Sequence, residues 1–129
     1  MLNTEIRKLV IKILDNLIED GPQWKHGMDI HHFNKRKRRG HLPLDWSLED
    51  YNQLIVNIVK ELDSETNLYF KEIFKQRYYV IGDKYWIDII GEDGIMETAF
   101  PPNNYSKYLS KDEGYIFLGT VQEVRSDGL

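Results

Sequence analysis

Two β-rich runs joined by a tight turn, YWIDIIGEDGIMETAF at residues 85–100, decide the fold class of this chain. Apolar and polar residues alternate along both runs, which is the period of a strand with one buried face. The acidic turn at 92–94 joins the runs, and the double proline at 101–102 stops the second one because proline cannot donate to the ladder. The segment predicts an antiparallel hairpin with one core face and one partly solvated face. The alternation places Thr98 on the face that points away from the core.

Further β-rich runs flank this hairpin. LYFKEIF at 68–74 and RYYVI at 77–81 precede it, and YIFLGTVQEV at 115–124 follows as a last strand. Antiparallel neighbours need only short turns between them, and turn residues at 82–83 separate the second run from the hairpin. We therefore predict a β-meander of four to five strands.

Helical periodicity governs the first half of the chain. Apolar residues recur at steps of three and four over residues 2–18, which predicts an amphipathic helix of about five turns that Gly-Pro at 21–22 ends. Ser47 and Asp50 approximate a capping box, and the apolar stripe that follows predicts another helix ending near Asp63.

A helix between these two is predicted from Asp29 to Arg39, with Asp29 as its N-cap and Gly40 as a left-handed stop. We expect it to pack Ile30 and Phe33 inward. The predicted fold class is therefore α+β, with three N-terminal helices followed by a mainly antiparallel four- to five-stranded sheet.

Length and composition predict one domain over residues 1–129, since 129 residues at 41% hydrophobic content suit a single core. The absence of cysteine excludes disulfides, thiolate metal sites and thiol nucleophiles. Charged residues interrupt the N-terminal apolar stretch, so neither a signal peptide nor a membrane span is predicted. The expected location is the cytoplasm, and no membrane partner is expected.

All four histidines share one window with the basic run KRKRR at 35–39. Residues 25–41 hold six of the seventeen Lys and Arg and one acid, so this window carries about +5 and the remainder about −9. A local cationic site on an acidic protein indicates a specific ligand that bears phosphate. The histidines of the window are His26, His31, His32 and His41.

Two pairs in this window have helical spacing. His32 and Arg36 lie four residues apart and project from one face of the predicted helix, as do His31 and Lys35. Either pair presents an imidazole, which titrates near neutrality, beside a fixed cation. Metal-binding histidines on a helix need the same spacing, and no two of the four histidines have it, so no metal site and no cofactor are predicted.

A His-Phe-x-x-Arg helix followed by a hairpin that ends Thr-Ala-Phe-Pro resembles the barnase, EndoU, colicin and RelE-like superfamily of small nucleases. The pattern there is His-Ile-x-x-Arg on a helix and Thr-Ala-Tyr-Pro on a late strand, and the resemblance covers about residues 24–102. This chain has Lys37 where the superfamily has a second histidine, and Phe100 where it has the tyrosine.

The resemblance implies a nuclease-like domain that is a metal-independent, toxin-like ribonuclease. It implies that His32 is the catalytic histidine, with His31 as the alternative, that Arg36 is the partner cation and that Thr98 lies beneath the scissile phosphate. Such an enzyme cleaves RNA through attack of the 2′-hydroxyl, which DNA lacks. Lys35, Arg38 and Arg39 would then bind flanking phosphates of the substrate. RNA is the expected partner, and an inhibitor or antitoxin protein would suit a toxin-like enzyme.

Other interpretations of the same residues remain. The basic run is also typical of a solvated helix C-terminus, and threonine is a common strand former. The basic helix would equally serve a non-catalytic module that docks on nucleic acid or on an acidic protein. A third interpretation is an interaction protein whose first helix meets another subunit. Convergence of His32 and Thr98 in space would favour the enzyme over a docking helix.

Overall fold

The computed structural model describes residues 3–60 and 66–126. Its elements, in chain order, are α1 (Thr4–Asp20), α2 (Met28–Arg38), α3 (Leu48–Lys60), β1 (Asn67–Ile73), β2 (Gln76–Gly82), β3 (Ile87–Gly91), β4 (Met96–Phe100), α4 (Tyr105–Tyr108), a short 3₁₀ helix (Lys111–Glu113), β5 (Ile116–Thr120) and α5 (Val121–Ser126). The strands form one antiparallel sheet in the order β4-β3-β2-β1-β5. The α+β prediction, with three helices followed by a mainly antiparallel sheet, is confirmed.

Local capping explains where the first and third helices begin. The Asn3 side chain accepts a hydrogen bond from the backbone N–H of Ile6 at 2.8 Å, and α1 ends at Gly21. The predicted capping box at α3 is present, because the backbone N–H of Ser47 donates to Asp50 at 2.9 Å and that of Asp50 donates to the Ser47 hydroxyl at 3.3 Å. The predicted helix end near Asp63 lies outside the described residues.

The main core lies between one face of the sheet and helices α1 and α3. Leu14 of α1, Ile55 of α3 and Ile81 of β2 are fully buried within it. The opposite face of the sheet carries a second cluster, in which Leu109 and Tyr115 cover Val80 and Ile87. The outer face is partly solvated, as predicted, since Ile89 and Thr98 on it are half-buried, but the segment after β4 folds back across it and buries Val80 and Ile87. Of the helices in the described ranges, none is long and apolar enough to cross a membrane.

The second helix exists as predicted, but its start and its inward face differ. Gly27, with a φ of +81°, is the N-cap, while the Asp29 carboxylate accepts from the backbone N–H of Ile30 within the first turn. Ile30 is 54% exposed, so the prediction that it packs inward was wrong. Phe33 does pack against the core. The inward face is formed by residues at positions 29, 32, 33 and 36, which have helical spacing, and Ile30 lies outside it.

The predicted last strand is a strand only in its first half. β5 ends at Thr120, and a capping box starts α5: the backbone N–H of Glu123 donates to the Thr120 hydroxyl at 3.0 Å, and that of Thr120 donates to the Glu123 carboxylate at 3.1 Å. The sequence TVQE at 120–123 carries the Thr-x-x-Glu signal for such a helix start. The end of the chain therefore packs as a helix, with Val121 and Val124 in the main core.

One buried hydrogen bond fixes the strand that carries Thr98. The Tyr51 hydroxyl of α3 donates to the backbone carbonyl of Ala99 at 2.7 Å, and the Tyr51 ring packs against Trp24 and Trp86. α2 contacts β4, which is an edge strand of the sheet. Thus α3 holds β4 on its core side, and α2 lies beside Thr98, the residue that follows Glu97.

Candidate active site

A cavity of about 280 Å³ lies between α2 and the C-terminal end of β4. Side chains from α2 form one wall, and β4 with the segment after it forms the other. Three fixed cations and two imidazoles line the cavity, against one carboxylate, so its charge is positive on a protein of net charge −4. The lining residues are His32, Lys35, Arg36, Arg39, His41, Glu97, Thr98, Phe100, Pro101, Pro102 and Asn103.

His32 is held on two sides. Its Nδ1 lies 3.0 Å from the Thr98 hydroxyl, and its ring stacks on Trp24 with centroids 5.3 Å apart. The Trp24 indole N–H in turn donates to the Asn52 side chain at 3.1 Å, which fixes the ring beneath His32. When Nδ1–H donates to the Thr98 hydroxyl, the neutral imidazole has its lone pair on Nε2. Nε2 is then the atom that can accept a proton from a ligand.

The surroundings of His32 keep its ring neutral near pH 7. Burial lowers the pKa of His32 below its ordinary value of 6.5, and the neighbouring His31, Arg36 and Lys35 lower the pKa further. The His31 ring meets the His32 ring edge-on at 5.3 Å. A neutral imidazole with one nitrogen already bonded is a suitable proton acceptor.

Arg36 is the buried cation of the site, with 4% of its surface exposed. Its Nη1 lies 3.0 Å from Nδ1 of His41, and its guanidinium carbon lies 5.4 Å from the centre of the Phe100 ring. Burial lowers the pKa of Arg36 and Arg39 lowers it further, whereas Tyr51 raises it, and an arginine nonetheless stays charged at physiological pH. Stacking on Phe100 and the bond to His41 fix the plane of the guanidinium against the cavity.

His41 reaches Arg36 because of the way in which α2 ends. The backbone N–H of His41 donates to the Arg36 carbonyl at 2.9 Å, and that of Gly40 donates to the Lys37 carbonyl at 3.0 Å. These two bonds define a Schellman motif, in which Gly40 takes the left-handed conformation with a φ of +73°. Since Arg36 N–H donates to Nδ1 of His41, the neutral His41 ring carries its proton on Nε2. Burial lowers the pKa of His41, as do Arg36 and Arg39.

The structure brings together five of the seven residues that the sequence nominated. His32, Arg36 and Thr98 lie in one cavity, and Lys35 and Arg39 line its rim. His31 and Arg38 are exposed and do not line the cavity, although the His31 ring touches that of His32. Within residues 3–60 and 66–126, no cluster of three or more His, Cys, Asp or Glu side chains could hold a metal ion.

Sequence reasoning missed the place of His41 in this site. It lies five residues from Arg36, which is not a helical spacing, and its ring arrives only through the turn at Gly40. The left-handed stop predicted at Gly40 was the available signal, because a Schellman motif folds the second residue after the C-cap back toward the last turn. Glu97 and Asn103 were also missed, and neither stands out in the sequence. A second histidine thus enters the site although Lys37 occupies the position next to Arg36.

Comparisons of the chain with protein-family models, with curated proteins and with solved structures find no match. The interpretation of the cavity therefore depends on its own geometry and chemistry.

Proposed function

We propose that the protein is a metal-independent endoribonuclease that cleaves RNA by attack of a 2′-hydroxyl on the neighbouring phosphate. One observation carries this proposal: His32 and Arg36 line the same cavity, with the Thr98 hydroxyl 3.0 Å from Nδ1 of His32. A proton acceptor beside a fixed cation is the minimum that this transesterification requires.

His32 acts as the general base in this proposal. Nε2 of the neutral ring takes the proton of the 2′-hydroxyl, the 2′-oxygen bonds to phosphorus, and the bond from phosphorus to the 5′-oxygen breaks. The departing 5′-oxygen takes a proton from water, and a 2′,3′-cyclic phosphate remains on the upstream fragment. Thr98 is a positioning residue, because its hydroxyl holds the Nδ1 side of the ring and so directs Nε2. In this mechanism the Thr98 hydroxyl bonds to the ring of His32, the general base, rather than to a phosphate oxygen.

Arg36 and His41 stabilise the charge that develops on the phosphate. A guanidinium donates to two oxygens at once, and its bond to His41 and its contact with Phe100 fix it before substrate arrives. His41 offers Nε2–H as a further donor. Lys35 and Arg39 at the rim would contact the phosphates on either side of the one that is cleaved, without selecting a base.

The test is incubation of the purified protein with total RNA and with single-stranded DNA of matched length, in excess EDTA. We expect cleavage of the RNA alone, with 2′,3′-cyclic phosphate ends, because only RNA supplies the nucleophile. The variant His32→Ala should lose most of this activity, and His26→Ala is the matched control because His26 is exposed and does not line the cavity. Wild-type protein that binds RNA and leaves it intact would contradict the proposal.

A second candidate function is a non-catalytic module that docks on nucleic acid or on an acidic protein through α2. The exposed Arg38, on the part of α2 outside the cavity, favours it. Under this alternative, Arg38→Gln would weaken binding at least as much as Arg36→Gln. The ribonuclease predicts the opposite order, because Arg36 lines the cavity and Arg38 does not.

A further inference from the structure

A second cavity, of about 310 Å³, adjoins the active-site cavity on the outer face of the sheet. Glu97 and Thr98 line both cavities, so the two spaces adjoin at these residues. We call the second one the tyrosine groove, after Tyr78, Tyr108 and Tyr115 in its walls. Nothing in the proposed cleavage step uses it.

The sheet register gives the direction and the length of the groove. Thr98 of β4 pairs with Ile89 of β3, which pairs with Val80 of β2, and the last two form part of the groove lining. Lys71, at the far end, is on β1, three strands from Thr98. Strands lie about 4.8 Å apart, so the groove extends about 14 Å from the edge strand. A short oligonucleotide covers such a span, and a single phosphate does not.

Charged and aromatic side chains alternate along the groove, as phosphates and bases alternate along a nucleic-acid strand. The active-site cavity is cationic, the exposed Glu97 stands at the junction, tyrosine rings follow, and the Lys71 ammonium lies 4.4 Å from the centre of the Tyr115 ring. A carboxylate at the junction repels a phosphate and accepts a hydrogen bond from a base amine. The apolar floor and the phenol rings suit a flat base, and Lys71 suits the next phosphate.

The rings of Tyr78 and Tyr115 stay neutral beside such a ligand. Burial raises the pKa of Tyr115, and its hydrogen bond with the Tyr108 side chain raises it further. Burial also raises the pKa of Tyr78, with Glu97 and Asp93 adding to the rise. Neutral rings do not repel phosphate.

We propose that the tyrosine groove binds a base of single-stranded RNA next to the phosphate held by Arg36, with Tyr78 as a stacking surface and Lys71 as the contact to the following phosphate. The proposal deepens the ribonuclease function and depends on it for the identity of the phosphate site. It also assigns a substrate class, since a base in this groove must leave any duplex that it belongs to. The protein should therefore select single strands.

The test separates binding from cleavage by using 2′-O-methyl oligonucleotides, which lack the nucleophile. Affinities for a labelled dinucleotide and hexanucleotide of mixed sequence, and for the hexanucleotide in a duplex, are measured by fluorescence anisotropy across a salt series. Stacking of one base on an aromatic ring corresponds to roughly fivefold to hundredfold in affinity. We expect Tyr78→Leu to weaken the binding of both oligonucleotides by that factor, because each has a base next to the phosphate held by Arg36.

Lys71→Gln should flatten the dependence of log affinity on log salt by about 0.7, the contribution of one phosphate contact on a single strand. Lys12→Gln on α1 and Tyr85→Leu on the β2–β3 loop are the matched controls, because both residues are exposed and neither lines either cavity. Thermal unfolding of each variant identifies any loss that comes from the fold. Arg36→Gln should weaken the binding of every probe.

The outcomes distinguish this proposal from the ribonuclease function. Wild-type protein that cleaves RNA, with Tyr78→Leu and Lys71→Gln equal to their controls, would overturn the groove and leave the cleavage function standing. Protein that cleaves nothing, yet loses hexanucleotide affinity with Tyr78→Leu, would support the groove and overturn the cleavage function. Equal affinity for the duplex and the single strand would overturn the assignment of substrate class.

Discussion

Replacing Asp88 should stabilise the protein at neutral and alkaline pH. Asp88 is on β3, paired with Ile81 on one side and Ala99 on the other, and is fully buried on the helix side of the sheet. Among the described residues, neither carboxylate oxygen has a hydrogen-bond partner. Burial raises the pKa of Asp88 well above 3.8, and Asp83 raises it further. The folded protein therefore holds this carboxyl at a cost.

The size of the effect follows from these unpaired atoms. A buried polar group without a hydrogen bond costs about 1–3 kcal/mol, and a charged one costs more. Asp88→Val removes the group and keeps nearly the same size, so we expect the free energy of unfolding at pH 8 to rise by about 1–3 kcal/mol. Asp88→Asn removes the charge alone and should give a smaller gain. A gain of 1 kcal/mol corresponds to about 4 °C in melting temperature for a chain of this length.

The dependence on pH has a definite sign. Because the pKa of Asp88 is higher in the folded state, the folded protein binds the proton more tightly than the unfolded chain does. The carboxyl costs least below the unfolded value near 3.8, and stability is lost as the pH rises from there through the folded pKa. The gap between wild type and Asp88→Asn should therefore be small at pH 4 and largest at pH 8.

Urea unfolding followed by tryptophan fluorescence measures this gap at several pH values. The slope with urea should stay constant, so that a change in midpoint reports stability alone. Asp88→Asn that is less stable than wild type at pH 8 would refute the reasoning, because the carboxylate would then have to accept hydrogen bonds. A gap independent of pH would refute it as well, because the Asp88 proton would then be irrelevant.

Three further predictions concern the site and its helix. With a fluorogenic RNA as substrate, His32→Ala should lower kcat/KM by about a hundredfold to ten-thousandfold, and Thr98→Val should lower it by less because the His32 ring remains. A larger loss in His31→Ala than in His32→Ala would identify His31 as the general base. The acid limb of the pH profile should have its midpoint below 6.5, because burial and nearby cations lower the pKa of His32, and Arg36→Met should move that midpoint upward; a midpoint above 6.5 in wild type would contradict this. In denaturant unfolding, Ile30→Ser should change the free energy of unfolding by less than about 0.5 kcal/mol, whereas Phe33→Ala should lower it by about 1–3 kcal/mol. Equal losses in the two variants would mean that Ile30 also packs inward.

The sequence could predict the elements whose signals are local. The stripes of α1 and α3, the capping box at Ser47 and the hairpin at 85–100 each combine periodicity with a turn or cap residue. The turn between β1 and β2 has no such signal, because Phe74 and Lys75 both have positive φ, at 48° and 68°, without glycine or asparagine. Strand pairing between Ile73 and Gln76 fixes that turn, and pairing is not visible along the chain.

Other errors came from assigning one pattern to a segment that holds two. The run at 115–124 was predicted as one strand because its residues favour strands, yet the Thr120 capping box starts a helix within it. The burial of Val80 and Ile87 on the outer sheet face was not predicted, because nothing in the sequence shows that the segment at 105–115 folds across it. Both outcomes depend on tertiary packing, which overrides intrinsic propensity.

The error at Ile30 has a different origin, and it explains why the site lies where it does. A helix chosen for packing alone would place its isoleucine inward, but α2 leaves Ile30 exposed and places His32 and Arg36 against β4. Burying an imidazole and a guanidinium is costly unless each is bonded; Thr98 bonds the His32 ring and His41 bonds Nη1 of Arg36, whereas Nε of Arg36 has no partner among the described residues. Departures from the apolar pattern are expected where function competes with stability. The polar inward face of α2 therefore supports the proposal that this helix forms one wall of an active site, while the other helices supply the core.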